Sequence, residues 1–218
     1  MDGVFVVGTD TEVGKTFVAC QLARGIAQHC KVGVYKPVAS GVSPEHQLDD
    51  GSLLRASIDN AVAYERVCPQ WFRKPVAPPI AARAEGSVVD EPLLLQGFEW
   101  WKDNCDYLIV EGAGGVLSPI TDSMTVLDLA ERVELPTLIV ARNQLGVVNH
   151  TLLTIDAICR RGLSVSCVVM NDVPRTDTSS QEQDDSLDSN LDLLIQFADA
   201  VPIVSGADAA IPQLLSSL

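Results

Sequence analysis

The sequence predicts a single α/β domain, residues 1–218, built on a doubly wound and mostly parallel sheet. Six short apolar runs, most of them rich in β-branched residues, have the length expected of buried strands: residues 4–7, 32–35, 107–110, 137–140, 165–170 and 201–204. Stretches with helical periodicity lie between several of these runs, at residues 15–28, 126–133 and 149–160. Apolar strands that alternate with helices are typical of a parallel sheet covered on both faces. Ligands then bind beyond the carboxyl ends of the strands, where functional residues are expected.

The charge of the chain argues against two classes of partner. The sequence has 15 Lys and Arg against 29 Asp and Glu, which gives a formal charge of -14. Binding to nucleic acid or to an anionic membrane is driven by basic residues that release counterions from phosphates, so neither partner is expected. No apolar run approaches the ~20 residues of a membrane span. An anionic ligand would have to be attracted locally, by a helix N-terminus, a lysine or a divalent cation.

The six cysteines are scattered, with no Cys-x-x-Cys pair and no Cys/His cluster at zinc spacing. The chain also begins without the basic and apolar segments of a secretory signal. We therefore expect a cytoplasmic protein with reduced cysteines, most of which serve as small apolar residues of the core.

Two stretches depart from the alternation of strands and helices. Residues 67–92 are rich in proline and have little periodicity, which predicts an ordered loop with one short helix at 80–84. Residues 172–190 are polar and acidic, which predicts a mobile surface loop to which no function is assigned.

The first predicted strand ends in the sequence GTDTEVGKT, residues 8–16, and an apolar helical stretch follows it. A strand, a glycine-containing turn and a helix that begins at Gly-Lys-Thr form a phosphate loop, and they indicate a P-loop NTPase-like fold. Its backbone N–H groups surround a polyphosphate, Lys15 bridges the β- and γ-phosphates, and the Thr16 hydroxyl binds Mg²⁺. The spacing is unusual, because Thr9 stands where the pattern has its first glycine and Gly8 lies one residue earlier.

Charged residues also follow two other predicted strands. In YKPVASG, Lys36 comes directly after the second strand and Ser40 lies four residues later, while Pro37 prevents the strand from continuing. A lysine there points towards the phosphate loop and can neutralise a transferred phosphoryl group. In YLIVEGAGG, Glu111 ends the third strand, where a carboxylate can bind Mg²⁺. The alternatives are a solvated surface lysine and a glutamate that caps a helix or forms a salt bridge.

Two neighbouring carboxylates, Asp49 and Asp50, stand at what the sequence HQLDDGSLL predicts to be the start of a helix. Either of them can cap the helix, and either can bind the metal ion. The residues alone leave the two roles open.

Taken together, the motifs GTDTEVGKT, YKPVASG, VEGAGG, LGVVNH and MNDV, in this order between residues 8 and 174, resemble those of the dethiobiotin synthetases. The resemblance implies a homodimer of phosphate-loop subunits that acts on 7,8-diaminopelargonic acid, CO2 and MgATP. In that reaction an amine takes up CO2 as a carbamate, the carbamate attacks the γ-phosphate, and the second amine closes a ring. The implied products are dethiobiotin, ADP and phosphate.

The resemblance also implies roles for residues at matching positions. Thr11 and Lys36 would hold the carbamate, with Ser40 near the substrate amines. Lys15 and Lys36 would stabilise the γ-phosphoryl group during its transfer. The implied Mg²⁺ ligands are Thr16, Asp50 and Glu111, Asp50 being preferred to Asp49 by its spacing to Leu53 and Leu54. The implied nucleotide-binding residues are Glu12, Val13, Gly14, Lys15, Thr16, Phe17 and, at the adenine, Asn171.

The sequence NQLGVVNH matches the stretch whose helix N-terminus binds the substrate carboxylate from the neighbouring subunit. Gly146, Val147 and Asn149 are expected to present free N–H donors at the start of a helix, which is a favourable place for an anion. Asn149 can equally be an ordinary helix cap. If the other subunit binds the carboxylate, a monomer would be inactive.

Near its end the sequence differs from the family pattern. The family usually has a Gly-Glu-Ile-Pro-like turn over the adenine, whereas this chain offers only Pro202, Ser205 and Gly206 there. Nucleotide selectivity is therefore left open.

Two other functions are disfavoured by the sequence. A switch-type ATPase of the partition or septum-site class would share the fold but has a signature lysine early in the loop, where this chain has Asp10. The synthetase domain of a corrin amidase would need a glutaminase domain, for which 218 residues are too few.

Overall fold

The structure is a computed structural model that describes residues 1–43, 45, 48–59, 61–172 and 186–216. The strands of this part are β1 (Asp2–Gly8), β2 (Val32–Tyr35), β3 (Val38–Ser40), β4 (Gln70–Phe72), β5 (Tyr107–Gly115), β6 (Thr137–Arg142), β7 (Val165–Asn171) and β8 (Ile203–Ser205). The helices are α1 (Lys15–Ile26), α2 (Asp50–Ser57), α3 (Tyr64–Val67), α4 (Pro78–Ala84), α5 (Glu91–Lys102), α6 (Val126–Val133), α7 (Val147–Arg160), α8 (Ser186–Phe197) and α9 (Ile211–Leu215).

Six strands form the central sheet in the order β2-β5-β1-β6-β7-β8. Every strand pair described in this sheet is parallel, which confirms the predicted doubly wound α/β class. The strands are buried along most of their length, as in β1, where Val4, Phe5, Val6 and Val7 have no exposed surface. Helices cover the sheet, because strands buried on both faces need an apolar partner on each side.

Several element boundaries differ from the prediction by a few residues, and in two of these elements a proline gives the reason. The last strand begins at Ile203 and not at residue 201, since Pro202 has no N–H group to give to the sheet and only its carbonyl accepts a bond, from Val168. The short helix α4 begins at Pro78, two residues before the predicted start, and proline is well suited to a first helical turn.

Several elements of the structure were not predicted from the sequence. Pro37 does end β2, but the chain then resumes as β3, which pairs in parallel with β4 in a separate two-stranded sheet. Helix α5 was also missed, although Asp90 caps it by accepting the Leu93 N–H. Helix α8 begins at Ser186, inside the predicted acidic loop, and residues 173–185 of that loop lie outside the described residues.

The sheet order determines where the candidate residues meet. Strand β5 lies between β1 and β2, so the carboxyl ends of these three strands are neighbours at one edge of the sheet. The phosphate loop follows β1, Lys36 follows β2, and Glu111 lies within β5. Three segments that are far apart in sequence therefore reach one place.

Among the described helices, none is both long and apolar enough to cross a bilayer.

Candidate active site

The loop between β1 and α1 has the conformation of an anion-binding turn. Glu12 and Gly14 have positive φ angles of 56° and 89°, and such alternation of backbone conformations turns successive N–H groups towards one side. The side chain of Asp10 stabilises the turn, since its Oδ1 accepts the Thr11 N–H at 2.7 Å. The Lys15 ammonium folds back over the loop and donates to the Asp10 carbonyl oxygen at 2.9 Å.

The position of Gly8 explains the unusual spacing of the motif. A Cβ atom on this residue would lie 2.6 Å from the Asp10 carbonyl oxygen and 2.8 Å from Lys15 Nζ. Real Cβ atoms do not approach other atoms so closely, so a larger residue would displace either the turn or the lysine. Glycine is therefore required where the loop leaves β1.

Beside the loop, four side chains meet in a cluster of charged and hydroxyl groups. Lys36 Nζ lies 2.6 Å from Glu111 Oε1 and 2.9 Å from Asp50 Oδ2, and it also donates to the Gly112 carbonyl oxygen at 3.2 Å. The Thr16 hydroxyl lies 2.9 Å from both Asp50 Oδ1 and Glu111 Oε1. The predicted convergence of the phosphate loop with Lys36 and Glu111 is thus observed.

Burial governs the protonation of this cluster. The side chains of Lys36 and Glu111 are only 3% and 1% exposed. Desolvation lowers the pKa of Lys36, but the charges of Glu111 and Asp50 outweigh it and hold this pKa above its usual value. Lys36 accordingly lowers the pKa of Asp50. Burial raises the pKa of Glu111, and the charge of Lys36 acts against that rise.

Lys15 behaves in the opposite way. Its pKa is lowered to about 8, mainly because burial removes the ammonium from water. The neighbouring charge of Lys36 is the second cause. The carboxylates of Glu111, Asp50 and Asp10 act in the other direction and are outweighed. A bound anion would stabilise the protonated lysine.

The structure assigns different positions to the two aspartates that the sequence left open. Asp49 caps α2 by accepting the Ser52 N–H at 3.0 Å and the Ser52 hydroxyl at 2.9 Å. Asp50 is the first residue of the helix and faces Thr16 and Lys36. The capping role therefore falls to Asp49.

A cavity of about 680 Å³ opens over this cluster. Nine of the predicted site residues line it: Thr11, Glu12, Gly14, Lys15, Thr16, Lys36, Ser40, Asp50 and Glu111. The other side is a mostly apolar wall, formed by Ala39, Gly41, Pro75, Val76, Ala77 and Pro78. The sequence analysis missed this wall, although the proline-rich stretch 67–92 that supplies most of it was recognised as irregular.

Three predicted nucleotide-binding residues lie outside that cavity. Val13 is buried and Phe17 is 59% exposed. Asn171, at the end of β7, is buried and its side-chain amide donates to the Val13 carbonyl oxygen at 2.9 Å. This bond connects β7 to the phosphate loop.

The start of α7 differs in one respect from the expectation. Gly146 precedes the helix with a φ of 93°, but the Val147 N–H is not free, because it donates to the Gln144 carbonyl oxygen at 3.1 Å. Asn149 is exposed. A second groove of about 560 Å³ runs between the loop after β5 and α7. Leu117, Leu145 and Leu153 are at least 60% exposed, and Leu117 and Leu153 line this groove.

The cluster suits a magnesium ion that is also bound by phosphate. Within the described ranges no group of three or more His, Cys, Asp or Glu residues could hold a metal ion alone. The oxygens of Thr16, Asp50 and Glu111 lie together, however, and Glu111 Oε2 is buried without a hydrogen-bond partner in the described part of the chain. Mg²⁺ usually takes one or two carboxylates and completes its six ligands with water and phosphate oxygens.

Comparison with known sequences finds relatives over most of the chain. A family model described as an AAA domain matches residues 2–212. The ATP-dependent dethiobiotin synthetase of Anaeromyxobacter sp. strain Fw109-5 is 42% identical over 83% of this chain and 81% of its own. The corresponding proteins of Bacillus subtilis subsp. natto and Aromatoleum aromaticum are 38% and 37% identical, over 79% and 98% of this chain and 75% and 95% of their own.

Comparison with solved structures supports the fold. The MinC:MinD cell division protein complex of Aquifex aeolicus matches with a TM-score of 0.54 and 12% identity, over 98% of this chain and 86% of that one. Apo McdA of Cyanthece matches with a TM-score of 0.52 and 16% identity, over 100% and 93%. At these identities the likeness shows a shared fold and nothing about function.

We predict that Lys36→Met lowers the free energy of unfolding by about 3–5 kcal/mol at pH 7.5, because it leaves Glu111 buried without its cation. Urea unfolding followed by tryptophan fluorescence measures the change. The loss should shrink as the pH is lowered, because burial raises the pKa of Glu111 and favours its neutral form.

The matched control is Lys102→Met, which breaks the exposed pair between Lys102 and Glu99. Its effect should stay below about 1 kcal/mol. Equal losses in the two variants would contradict the importance of the buried pair.

Proposed function

Because the chain belongs to the ATP-dependent dethiobiotin synthetases, we propose that the cavity over Lys36 and Glu111 is where it carries out their reaction. The enzyme is a ligase of biotin biosynthesis. It carboxylates 7,8-diaminopelargonic acid with CO2 and closes the ring to dethiobiotin, while ATP is converted to ADP and phosphate. The observation that carries the placement is the buried lysine and glutamate beside a phosphate loop.

The central physical problem of this reaction is the repulsion between two anions. A carbamate formed on the diamine must approach the γ-phosphate of ATP, and a cavity with little water strengthens their repulsion. Lys15, at the start of α1, and Lys36, directly after β2, would supply the compensating charge. The raised pKa of Lys36 keeps it protonated at neutral pH. Phosphoryl transfer needs little else from a protein, since positioning and charge account for most of its catalysis.

The phosphate loop would bind the triphosphate. Its N–H groups and the N-terminus of α1 favour negative charge, and Lys15 lines the same cavity. Glu12, Val13, Gly14 and Phe17 would border the nucleotide.

Asn171 would bind the adenine with the polar atoms that remain after its bond to the Val13 carbonyl. That bond brings strand β7 to the loop, which supports a nucleotide site shared by both.

Thr16, Asp50 and Glu111 would hold Mg²⁺, which when bound would neutralise charge on the phosphate oxygens. The Thr16 hydroxyl already lies within hydrogen-bond distance of an oxygen of each carboxylate. The two carboxylates are also the partners of Lys36.

The diamine would occupy the remainder of the cavity. Thr11 and Lys36 would hold the carbamate, and Ser40 would contact the amines. The aliphatic part of the substrate needs no polar contact, and it would lie against the wall formed by Ala39, Pro75 and Val76. Once both amines lie beside the activated carbon, closure of a five-membered ring is favoured by proximity.

The substrate carboxylate would be bound by the start of α7 of a second subunit. Gly146, Val147 and Asn149 stand at this start, and the Gly146 and Asn149 backbone remains the candidate donor set, since the Val147 N–H is engaged. The exposed leucines around the adjacent groove support a homodimer whose contact surface includes this region. The site would then be composed of both subunits.

We place the enzyme in the cytoplasm, without nucleic-acid or membrane partners. The six cysteines are free, and the charge of -14 disfavours phosphate-rich surfaces.

The direct test is to incubate the purified protein with MgATP, bicarbonate and diaminopelargonate and to detect dethiobiotin by mass. We expect Lys36→Gln to lower turnover about 100- to 1,000-fold, the loss typical of removing one charge-stabilising donor. Turnover within about threefold of wild type would refute the placement of Lys36. Phosphate release that does not depend on the diamine would favour a switch ATPase.

The lowered pKa of Lys15 predicts a pH dependence of nucleotide binding. The protonated lysine binds phosphate, and the free protein loses this proton near pH 8. MgADP affinity should therefore fall by about tenfold between pH 7 and pH 9. Calorimetric titration at the two pH values measures it, and Lys15→Met should bind weakly at both. A fall of the same size in Lys15→Met would assign the titration to another group.

Mixed subunits test the shared site. Lys36→Gln and Asn149→Asp should each be inactive, the second because a carboxylate at the start of α7 repels that of the substrate. When both are unfolded and refolded together, about a quarter of wild-type activity should return, since one site in each mixed dimer has both native residues. If each site lay within one subunit, the mixture would remain inactive.

A further inference from the structure

The position of Asp50 depends on a part of the structure outside the cavity. Its partners Thr16 and Lys36 lie on α1 and directly after β2, whereas Asp50 begins a helix of eight residues. Its side chain is 46% exposed, so packing around the carboxylate does not fix it. The carboxylate is held by its bonds to Thr16 and Lys36, and the contacts that hold the first turn of α2 place it within reach of them.

The first turn is held by Asp49 and by Tyr64 of α3. Asp49 Oδ1 accepts both the Ser52 N–H, at 3.0 Å, and the Tyr64 hydroxyl, at 2.8 Å. The capping carboxylate thus connects the start of α2 to a residue 15 positions later. A tyrosine ring is rigid, so this bond fixes the direction in which the turn faces.

Close packing adds to this hydrogen bond. A Cβ atom on Gly51 would lie 2.8 Å from the Tyr64 hydroxyl oxygen and 2.9 Å from Cys68 Cβ. Glycine therefore allows α2 to lie directly against α3. An alanine would push the first turn away, and Asp50 with it.

The same short helix also holds the strand end that carries the lysine. The Lys36 N–H donates to the Val67 carbonyl oxygen at 2.7 Å, and Val67 is the last residue of α3. Helix α3 consequently connects the backbone of Lys36 to the residue next to Asp50. Helix α3 therefore contributes to the separation between the Lys36 ammonium and the Asp50 carboxylate.

We propose that Tyr64, acting through Asp49, is a positioning residue for Asp50 and thereby for the metal site. This rests on the proposed role of Asp50 as a Mg²⁺ ligand. Residues that orient metal ligands affect metal affinity by about 10- to 100-fold when they are removed. Tyr64 touches neither the metal site nor the substrate cavity, so its effect should be on metal binding and not on the binding of metal-free nucleotide.

The test compares Tyr64→Phe with wild type. Mn²⁺ replaces Mg²⁺, and its binding to the protein with ADP is followed by electron paramagnetic resonance. We expect the Mn²⁺ dissociation constant to rise about tenfold, with ADP affinity in EDTA changed by less than about twofold. The Mg²⁺ concentration that half-saturates dethiobiotin formation should rise in parallel.

Tyr35→Phe is the matched control. It also removes one buried hydroxyl bond, from Tyr35 to the Leu94 carbonyl oxygen at 2.7 Å, but on the side of α5. We expect a similar loss of thermal stability and wild-type Mn²⁺ affinity. If Tyr64→Phe and Tyr35→Phe bind Mn²⁺ equally well, Tyr64 only stabilises the fold and the proposal is wrong.

A second pair of variants covers the case in which Tyr64→Phe does not fold. Asp49→Asn keeps an oxygen that caps the helix and accepts from Tyr64, and it should retain metal affinity, whereas Asp49→Ala should lose it as Tyr64→Phe does. Wild-type Mn²⁺ affinity in Asp49→Ala would overturn the proposal. Because Mn²⁺ binding needs no turnover, this comparison decides the positioning role even if the protein forms no dethiobiotin. If wild type with ADP binds no Mn²⁺, the metal role of Asp50 fails together with the positioning role.

Discussion

A buried lysine directly after β2 pairs with a buried glutamate within the neighbouring strand β5, and the site is built around this pair. Tyr35 lies opposite Val110 in the register of β2 and β5, so the next residues, Lys36 and Glu111, are brought side by side by the sheet itself. Burying two charges costs several kcal/mol for each ion, and only a short, well-oriented contact offsets it. The contact of 2.6 Å meets this condition. The sheet register, the phosphate loop and α2 all converge on this pair.

The central sheet could be predicted because buried parallel strands have a local signature. Apolar runs of four to six residues mark β1, β2, β6 and β7, and each can be recognised without knowledge of the rest of the chain. The pairing of β3 with β4 has no such signature, since it joins residues about 32 positions apart and depends on contacts that no short window contains. Helix α5 is a different case. Its signal was present, in Asp90 followed by Glu91 and Pro92, and could have been recognised.

The site could be predicted where a chemically distinctive residue stands in or next to a recognisable strand or helix start, as for Lys15 at the start of α1, Lys36 directly after β2 and Glu111 in β5. It could not be predicted where two neighbours have the same chemistry. Asp49 and Asp50 are both able to cap and to bind a cation, and only the contacts with Tyr64 and Thr16 separate them. The fold alone would not have given the function, because the MinC:MinD and McdA structures share it at 12% and 16% identity. The function is indicated by the motifs near the strand ends and by the similarity to the dethiobiotin synthetases.

The hydrogen-bond donors of the cluster are already engaged, and this restricts the direction from which an anionic ligand can approach. The three ammonium protons of Lys36 are directed to Glu111, Asp50 and the Gly112 carbonyl, and the single Thr16 proton can serve only one of two carboxylates. In the described chain Glu111 Oε2 receives none. This flank is therefore rich in lone pairs and poor in protons, whereas the loop beside it is rich in N–H groups. The N–H groups of the phosphate loop would attract an approaching polyphosphate, whereas the carboxylate oxygens of the cluster would repel it. A cation bound to the polyphosphate would remove this repulsion.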